Sequence, residues 1–405
     1  MKKIMVMGTG AQGSVIAQRL QEEPSVTEIV CADYDARAAQ ELEKSLSKAK
    51  AVQVNGKNVA EIVKAAQGCE LIVNGLPPEF NVGVMDAAVE VGACYQDMAS
   101  GAEDDDFVLG IRKQLGRDQE FKDAGLSALM NCGSAPGIAN LISREAVDKF
   151  ESVDTIEILI FEGVWTSHFI PFWWAPDTAF GDMVDEPVIY ENGEFKIVPP
   201  FNNPEWVDFP GLGKRRMYDH HHEEPVTMGL LADKYLKGAK NICFRYGGPG
   251  CEMAKGFYEM GLLSSEPVEV DGAPVIPMRL ISKLTPPAPK YKEEIQQVID
   301  EGIETDEGIF LVRVDGTMDG GAVRIDSYLT APGLRNSFDK SGISHESYLT
   351  GQSAYLFTKM LVNDKIDLKG VFPPEALDAN ARAYYLQEAA KFDLVVDEVL
   401  QRRLF

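Results

Sequence analysis

Positive charge is what this chain lacks most: 39 Lys and Arg stand against 63 Asp and Glu, a formal net charge of −24. Nucleic acid and anionic membrane surfaces both call for a positive field, so neither is expected as a partner. A cationic amine is the kind of small molecule such a field attracts. The six cysteines are scattered with no Cys-x-x-Cys pair. That spacing excludes the usual zinc ribbon and redox dithiol and points to free thiols in a reducing compartment. No apolar run approaches the roughly 18 residues of a membrane span, and the first strand begins with no basic leader before it, so a cytoplasmic protein is expected. Gly-x-Ser-x-Gly, His-Glu-x-x-His and the Walker lysine loop are missing too. Their absence removes the usual support for serine-hydrolase, zinc-protease and phosphate-loop chemistry.

What is present is concentrated at the start. Lys3–Met7 reads as a buried strand, Gly8-Thr-Gly-Ala-Gln-Gly13 follows directly, and Ser14–Glu22 has a helical pattern. A second apolar run, Glu28–Ala32, ends on Asp33, about twenty residues past the last glycine, the spacing of a dinucleotide-binding βαβ unit. Gly8 serves the tight turn, Gly10 the approach of a pyrophosphate, and Gly13 close packing of helix on strand. Ala11 and Gln12 lie at the helix N-terminus that faces the phosphates. Asp33 would accept hydrogen bonds from both ribose hydroxyls and repel a 2′-phosphate, which favours NAD. Arg37, four residues on, leaves NADP open.

From Met1 to about residue 130, strand and helix alternate to give about six parallel strands, a doubly wound α/β sheet. The turn Asn131-Cys-Gly-Ser-Ala-Pro-Gly137 marks a boundary. Beyond it, the longer β-branched runs Ser152–Phe161, Ile242–Tyr246, Ile309–Asp315 and Ala322–Tyr328 suit a mixed sheet in an inserted α+β domain, residues 131–347. Between these runs, Trp165–Tyr218 is rich in aromatics, proline and glycine, too long for an ordinary loop, and reads as a lid or pocket wall. Residues 348–405 turn helical again, at Tyr348–Val362 and Ala376–Leu404, and are expected to pack back on the first domain.

Ligands of open α/β sheets lie beyond the carboxyl ends of the strands. Asn74, Gly75, Leu76 and Pro77, the Asp97–Ser100 segment and Asn131–Gly137 are therefore expected around the cofactor. Asp97 is positioned to orient a substrate amine or take its proton. His220-His-His222 with Glu223 and Glu224 invites a metal reading, but neighbouring side chains in extended chain diverge and no paired ligand spacing exists. No metal is expected, and His220 is instead a candidate acid or base. His168 and His345 stand alone. Trp174, within an aromatic run, could line a substrate pocket, and Arg245 at a strand end could clamp a carboxylate.

These residues together resemble the saccharopine dehydrogenase-like family, in the branch with saccharopine reductases and lysine 6-dehydrogenases. The resemblance spans most of the chain. It rests on the Gly8–Gly13 turn, Val73-Asn-Gly-Leu76 with Phe80-Asn81, Tyr95-Gln-Asp97, and Gly133-Ser-Ala-Pro-Gly-Ile-Ala-Asn140. Trp174-Ala-Pro-Asp-Thr178, Tyr190-Glu-Asn-Gly193 and Gly370-Val-Phe-Pro-Pro-Glu375 complete it. It implies a Rossmann domain completed by C-terminal helices, an inserted domain for substrate and homodimer contacts, and NAD(P)-linked chemistry at the C–N bond of a lysine-like or opine-type amino acid, with Asp97 beside the nicotinamide. Polyamine-forming dehydrogenases of the same family are the alternative, and a non-catalytic dinucleotide sensor a further one.

Overall fold

A computed structural model describes residues 2–402, which form two compact units: residues 2–145 with 347–394, and residues 146–346 with 395–402.

The first unit is built on strands β1 (Lys2–Met7), β2 (Val26–Asp33), β3 (Ala49–Gln53), β4 (Leu71–Asn74), β5 (Cys94–Asp97) and β6 (Ser127–Leu129). A seventh strand comes from far along the chain, Gly370–Phe372, and pairs parallel with β6. The spatial order is Gly370–Phe372, β6, β5, β4, β1, β2, β3, all parallel. Ile4, Met5, Val6 and all four residues of β4 are buried, as both faces of a parallel sheet demand. The strand order reverses between β1 and β4, and such a switch point opens a crevice at the carboxyl ends. The later helices of this unit are tied to its earlier part by polar bonds. Gln96 donates to the Ala354 carbonyl at 3.0 Å, Arg19 to Gln352 at 3.1 Å, and Tyr355 to Glu23 at 2.5 Å.

The second unit carries a nine-stranded mixed sheet. Its spine is Ser152–Thr166 paired antiparallel with Ile303–Met318 on one side and parallel with Asn241–Gly247 on the other. Gly213–Asp219 and Glu205–Phe209 extend it past Asn241–Gly247, and Gly321–Thr330 extends it past Ile303–Met318.

Four sequence expectations need correction. The first sheet has seven strands rather than six, because the Gly370–Phe372 strand is only three residues long and gains its strand character from pairing with β6. The boundary falls after Glu145 and not at residue 130, so the Asn131–Gly137 turn stays with the first unit. The Trp165–Tyr218 stretch is largely regular: it holds helix Pro176–Val184, the hairpin Val188–Glu191 with Glu194–Ile197, and the hairpin Glu205–Phe209 with Gly213–Asp219. Finally, the helix expected over Ala376–Leu404 ends at Ala389. Asp393 takes a left-handed conformation (φ 55°), and Val395–Arg402 becomes an edge strand paired with Gly321–Thr330 in the second unit. The β-branched residues Val395, Val396 and Val399 suit that strand, and the partner strand supplies hydrogen bonds that no sequence window contains.

Candidate functional site

The first unit presents the glycine turn at the carboxyl end of β1. Gly8 has φ +80°, and an added Cβ there would lie 2.7 Å from the Gly75 carbonyl oxygen. At Gly13 a Cβ would fall 1.9 Å from the Gly8 carbonyl oxygen, so α1 (Ala11–Leu20) can approach the strand only with glycine at that point. Gly10 faces open space, no side chain caps α1, and its first turn carries no acidic residue. The leading amides of α1 are thus left for an anion, helped by the helix dipole. Asp33 ends β2, where one carboxylate oxygen accepts from the Thr9 amide at 2.6 Å and hydroxyl at 2.8 Å, and the other from the Asp35 amide at 2.9 Å. Those bonds fix the acid at the carboxyl end of β2, beside the glycine turn. Arg37 is exposed and lies 3.3 Å from Glu41.

Beyond β4, β5 and β6 the three expected loops are stitched together. Asn74 donates to Asn81 at 2.8 Å and accepts from the Leu76 amide at 3.2 Å; Asn81 donates to the Ala99 carbonyl at 2.8 Å. Ser100 donates to the Asn131 side-chain oxygen at 2.8 Å. The other end of that amide, Asn131 Nδ2, is buried with no hydrogen-bond partner among the described residues.

Asp97 is part of this stitching. Its Oδ1 accepts from the Asn131 amide at 2.7 Å, and its Oδ2 from the Tyr95 hydroxyl at 2.9 Å and from Gln114. The residue is 1% exposed. Burial pushes its pKa up to about 7 against the pull of those three donors. The structure places Asp97 as a brace for the Asn131 turn, with both oxygens already engaged, rather than as an open carboxylate.

The second unit gathers a different set of groups on one face of its sheet. Phe244 and Tyr246 alternate with Arg245 along Asn241–Gly247, so they point to the face opposite the arginine. His222 stacks on Phe244 (3.9 Å between centroids, 11° between planes), His220 packs on Tyr246 at 5.2 Å, and Trp174 meets Tyr246 edge-on at 6.2 Å. The Tyr246 hydroxyl donates to Glu162 Oε2 at 2.8 Å, Glu162 Oε1 lies 3.3 Å from His345 Nε2, and the His345 ring is edge-to-face with Trp173 at 5.1 Å.

In an extended chain the side chains of residues 220–224 diverge. The turn into helix Glu224–Leu230 instead folds the His222, Glu223 and Glu224 donor atoms to within 4.8 Å of one another. His222 Nδ1 is 2.5 Å from Glu224 Oε2 and 3.4 Å from Glu223. Burial works against charge on His222, but the carboxylates of Glu224, Glu223 and Asp182 outweigh it and raise its pKa to about 9. His220 is the opposite case: burial, then the neighbouring His222 and His221, hold it well below its ordinary range, so it is a neutral imidazole. Burial also lifts Asp182 to about 6, with His222 opposing.

Arg245 lies on the other face, spanned by carboxylates: Asp219 at 3.3 Å, Glu157 at 3.7 Å, and Glu205. Next to it Arg313 holds Asp326 by two bonds, 2.8 and 3.1 Å. The clamp expected at a substrate carboxylate is a buried knot within the sheet. Sequence reasoning missed Glu162 and Tyr246 altogether and set His345 aside. Lone residues in strands carry no local motif, and only the alternation of Glu162 and Tyr246 toward one face could have hinted at them.

A doubly wound sheet with a glycine turn, an open helix N-terminus and an acid ending the second strand defines an NAD(P)-dependent oxidoreductase fold. The chain belongs to the saccharopine dehydrogenase family: residues 4–129 match the saccharopine dehydrogenase NADP binding domain and residues 133–392 the saccharopine dehydrogenase C-terminal domain. It is similar to the carboxyaminopropylagmatine dehydrogenase of Synechocystis, 24% identical over 383 residues and 93% of both chains. It is also similar to the carboxynorspermidine synthase of Vibrio alginolyticus, 24% identical over 404 residues, covering 93% of this chain and 92% of the relative. Among solved structures, saccharopine dehydrogenase (L-Glu forming) from Saccharomyces cerevisiae shares the fold with a TM-score of 0.72 at 14% identity, over 99% of this chain and 100% of that one. Homospermidine synthase from Legionella pneumophila, in complex with NAD, gives 0.67 at 13%, over 99% and 91%.

Proposed function

We propose that this protein makes or breaks the C–N bond of a carboxylated polyamine, with NAD(P) as the hydride carrier. The dinucleotide, when bound, accepts a hydride from the amine-bearing carbon or returns it. In the first unit the α1 amides hold its phosphates, Asp33 its ribose, and Asp97 the loop that ends the crevice. Asp33 argues for NAD over NADP, since a second anion beside it would be repelled.

The observation that carries the substrate class is the buried acidic cluster around His222. Glu223, Glu224 and Asp182 outnumber the single imidazolium they surround, and Glu224 Oε1 is enclosed without a hydrogen-bond partner among the described residues. A buried excess of carboxylate is stabilised by a further cation, and an ammonium group supplies one. Trp174 and Tyr246 on the same face offer aromatic surface to an alkylammonium chain. The curated relatives point the same way, because their names are those of carboxylated polyamine enzymes.

The test is an absorbance assay for reduced nicotinamide, run oxidatively with NAD+ or NADP+ and four compounds: carboxynorspermidine, carboxyaminopropylagmatine, saccharopine and lysine. Turnover of either carboxylated polyamine in preference to saccharopine and lysine is expected. Preference for lysine or saccharopine would return the assignment to a lysine-like amino acid, and cofactor binding without turnover of any of them would overturn it.

A further inference from the structure

The second unit contains a histidine, a carboxylate and a tyrosine joined in series, of which only the tyrosine ring has a role above. Glu162 is the hub: one oxygen accepts from Tyr246 at 2.8 Å and the other faces His345 Nε2 at 3.3 Å. The side chains of Glu162 and His345 are 17% and 14% exposed, and Tyr246 is 8% exposed. A carboxylate fixed from one side by a hydroxyl has a defined direction in which to hold an imidazole, and that is how an acid–base histidine is oriented. With Nε2–H directed at Glu162, the neutral ring carries its lone pair on Nδ1.

Two further atoms mark this place. His345 Nδ1 is enclosed and has no hydrogen-bond partner among the described residues, and the same is true of Nε1 of Trp173, the ring packed against it. Trp173 is 4% exposed. An orphaned acceptor and an orphaned donor on adjoining rings are unusual in a folded protein unless a water or a ligand group completes them. The other groups acting on this series are Glu346 and Cys251, both near Tyr246, and His220 on its ring face. None of them is an alternative partner for Nδ1 of His345.

We infer that His345 is the proton-transfer residue of this site, with Glu162 and Tyr246 as its positioning residues; the inference rests on the proposed oxidoreductase reading. In the oxidative direction an amine N–H proton would pass to His345 Nδ1 as the adjacent carbon gives up a hydride, for which a bound dinucleotide would supply the acceptor. The nitrogen lone pair closes the C=N bond. The substrate carbon would be oxidised by two electrons taken up by the dinucleotide, and the proton would rest on an imidazolium whose Nε2–H faces the Glu162 carboxylate. Reduction runs the same steps backward. Tyr246 keeps its proton, because burial and the charge of Glu162 push its pKa well above the usual value.

Two measurements on the full chain test this. The first needs no substrate: ring-nitrogen NMR of protein labelled at its five histidines. It should show an Nε2–H tautomer that is lost from the spectrum in His345→Gln and whose titration midpoint falls in Glu162→Gln. A midpoint unmoved in Glu162→Gln overturns the pairing.

The second is turnover of the preferred compound of the oxidative panel. His345→Gln should lower kcat by about 100-fold or more, with NADH binding unchanged by fluorescence, and free imidazole should restore part of the rate to His345→Ala. The pH profile of Glu162→Gln should shift by the same amount as its NMR midpoint. Full activity in His345→Gln overturns this inference and leaves the oxidoreductase reading standing. A wild type that turns over no compound of the panel overturns both.

Discussion

His222 Nδ1 lies 2.5 Å from Oε2 of Glu224, a carboxylate with no exposed side-chain surface. The pair is the centre of the second unit's acidic cluster, and its consequences for pH are direct. Because the folded state raises the His222 pKa to about 9 from 6.5, the charged ring stabilises the fold fully below the unfolded value, and that contribution is lost as pH rises through 9. Urea denaturation of wild type and Glu224→Gln should therefore differ at pH 6 and converge toward pH 10. Parallel curves across that range would show that the pair does not couple to folding.

Asp97 has the same sign in a lower pH window. Its folded pKa of about 7 lies above the ordinary 3.8, so the unfolded chain releases this proton first and the contribution to stability falls between those two values as pH rises. Replacing it in Asp97→Asn should flatten the pH dependence of unfolding in that window, at some cost to the Asn131 turn. If nucleotide binding weakens as well, measured by fluorescence, the brace is transmitted to the crevice.

Gly13→Ala tests the close approach of α1 to β1. A Cβ placed 1.9 Å from the Gly8 carbonyl forces the helix outward. Overpacking of this kind costs about 1–3 kcal/mol, and here it also displaces the amides offered to the phosphates. A lowered melting temperature together with loss of NADH binding is expected. Wild-type affinity would mean the turn does not hold the pyrophosphate.

Asp33→Ser should reverse the nucleotide preference. Losing charge-assisted hydrogen bonds worth about 1.5–3 kcal/mol weakens NADH by roughly 10- to 100-fold. Arg37, exposed and four residues on, is then free to meet a 2′-phosphate without the opposing acid. Competitive titrations with NADH and NADPH read the ratio directly.

Arg245→Met should destabilise the protein strongly, by about 3–5 kcal/mol, because Asp219 would remain buried without its cation and Glu157 would keep only Arg313, 3.8 Å away. Thermal melting checks this. A variant that stays folded but shows a raised KM for the carboxylated substrate alone would restore the clamp first expected of this residue.

The dinucleotide half of this molecule was legible because its signals are local. A strand, a turn of three glycines, a helix and an acid follow within thirty-three residues, and each is required by geometry inside that window. The Gly370–Phe372 strand and the final strand Val395–Arg402 were not legible as such. Short or ambivalent segments take their conformation from the strand they pair with, β6 for the one and Gly321–Thr330 for the other.

The same division holds for the sites. Sequence alone determined that the protein binds a dinucleotide, that its charge suits a cationic ligand, and that histidines and carboxylates crowd residues 220–224. Tertiary structure alone decided which of these groups meet. It turned Arg245 into the sheet, closed Asp97 behind three donors, and brought His345 to Glu162 across 183 residues of chain. Spacing encodes contacts within a turn or two, whereas contacts between distant strands depend on register and on which face each side chain takes.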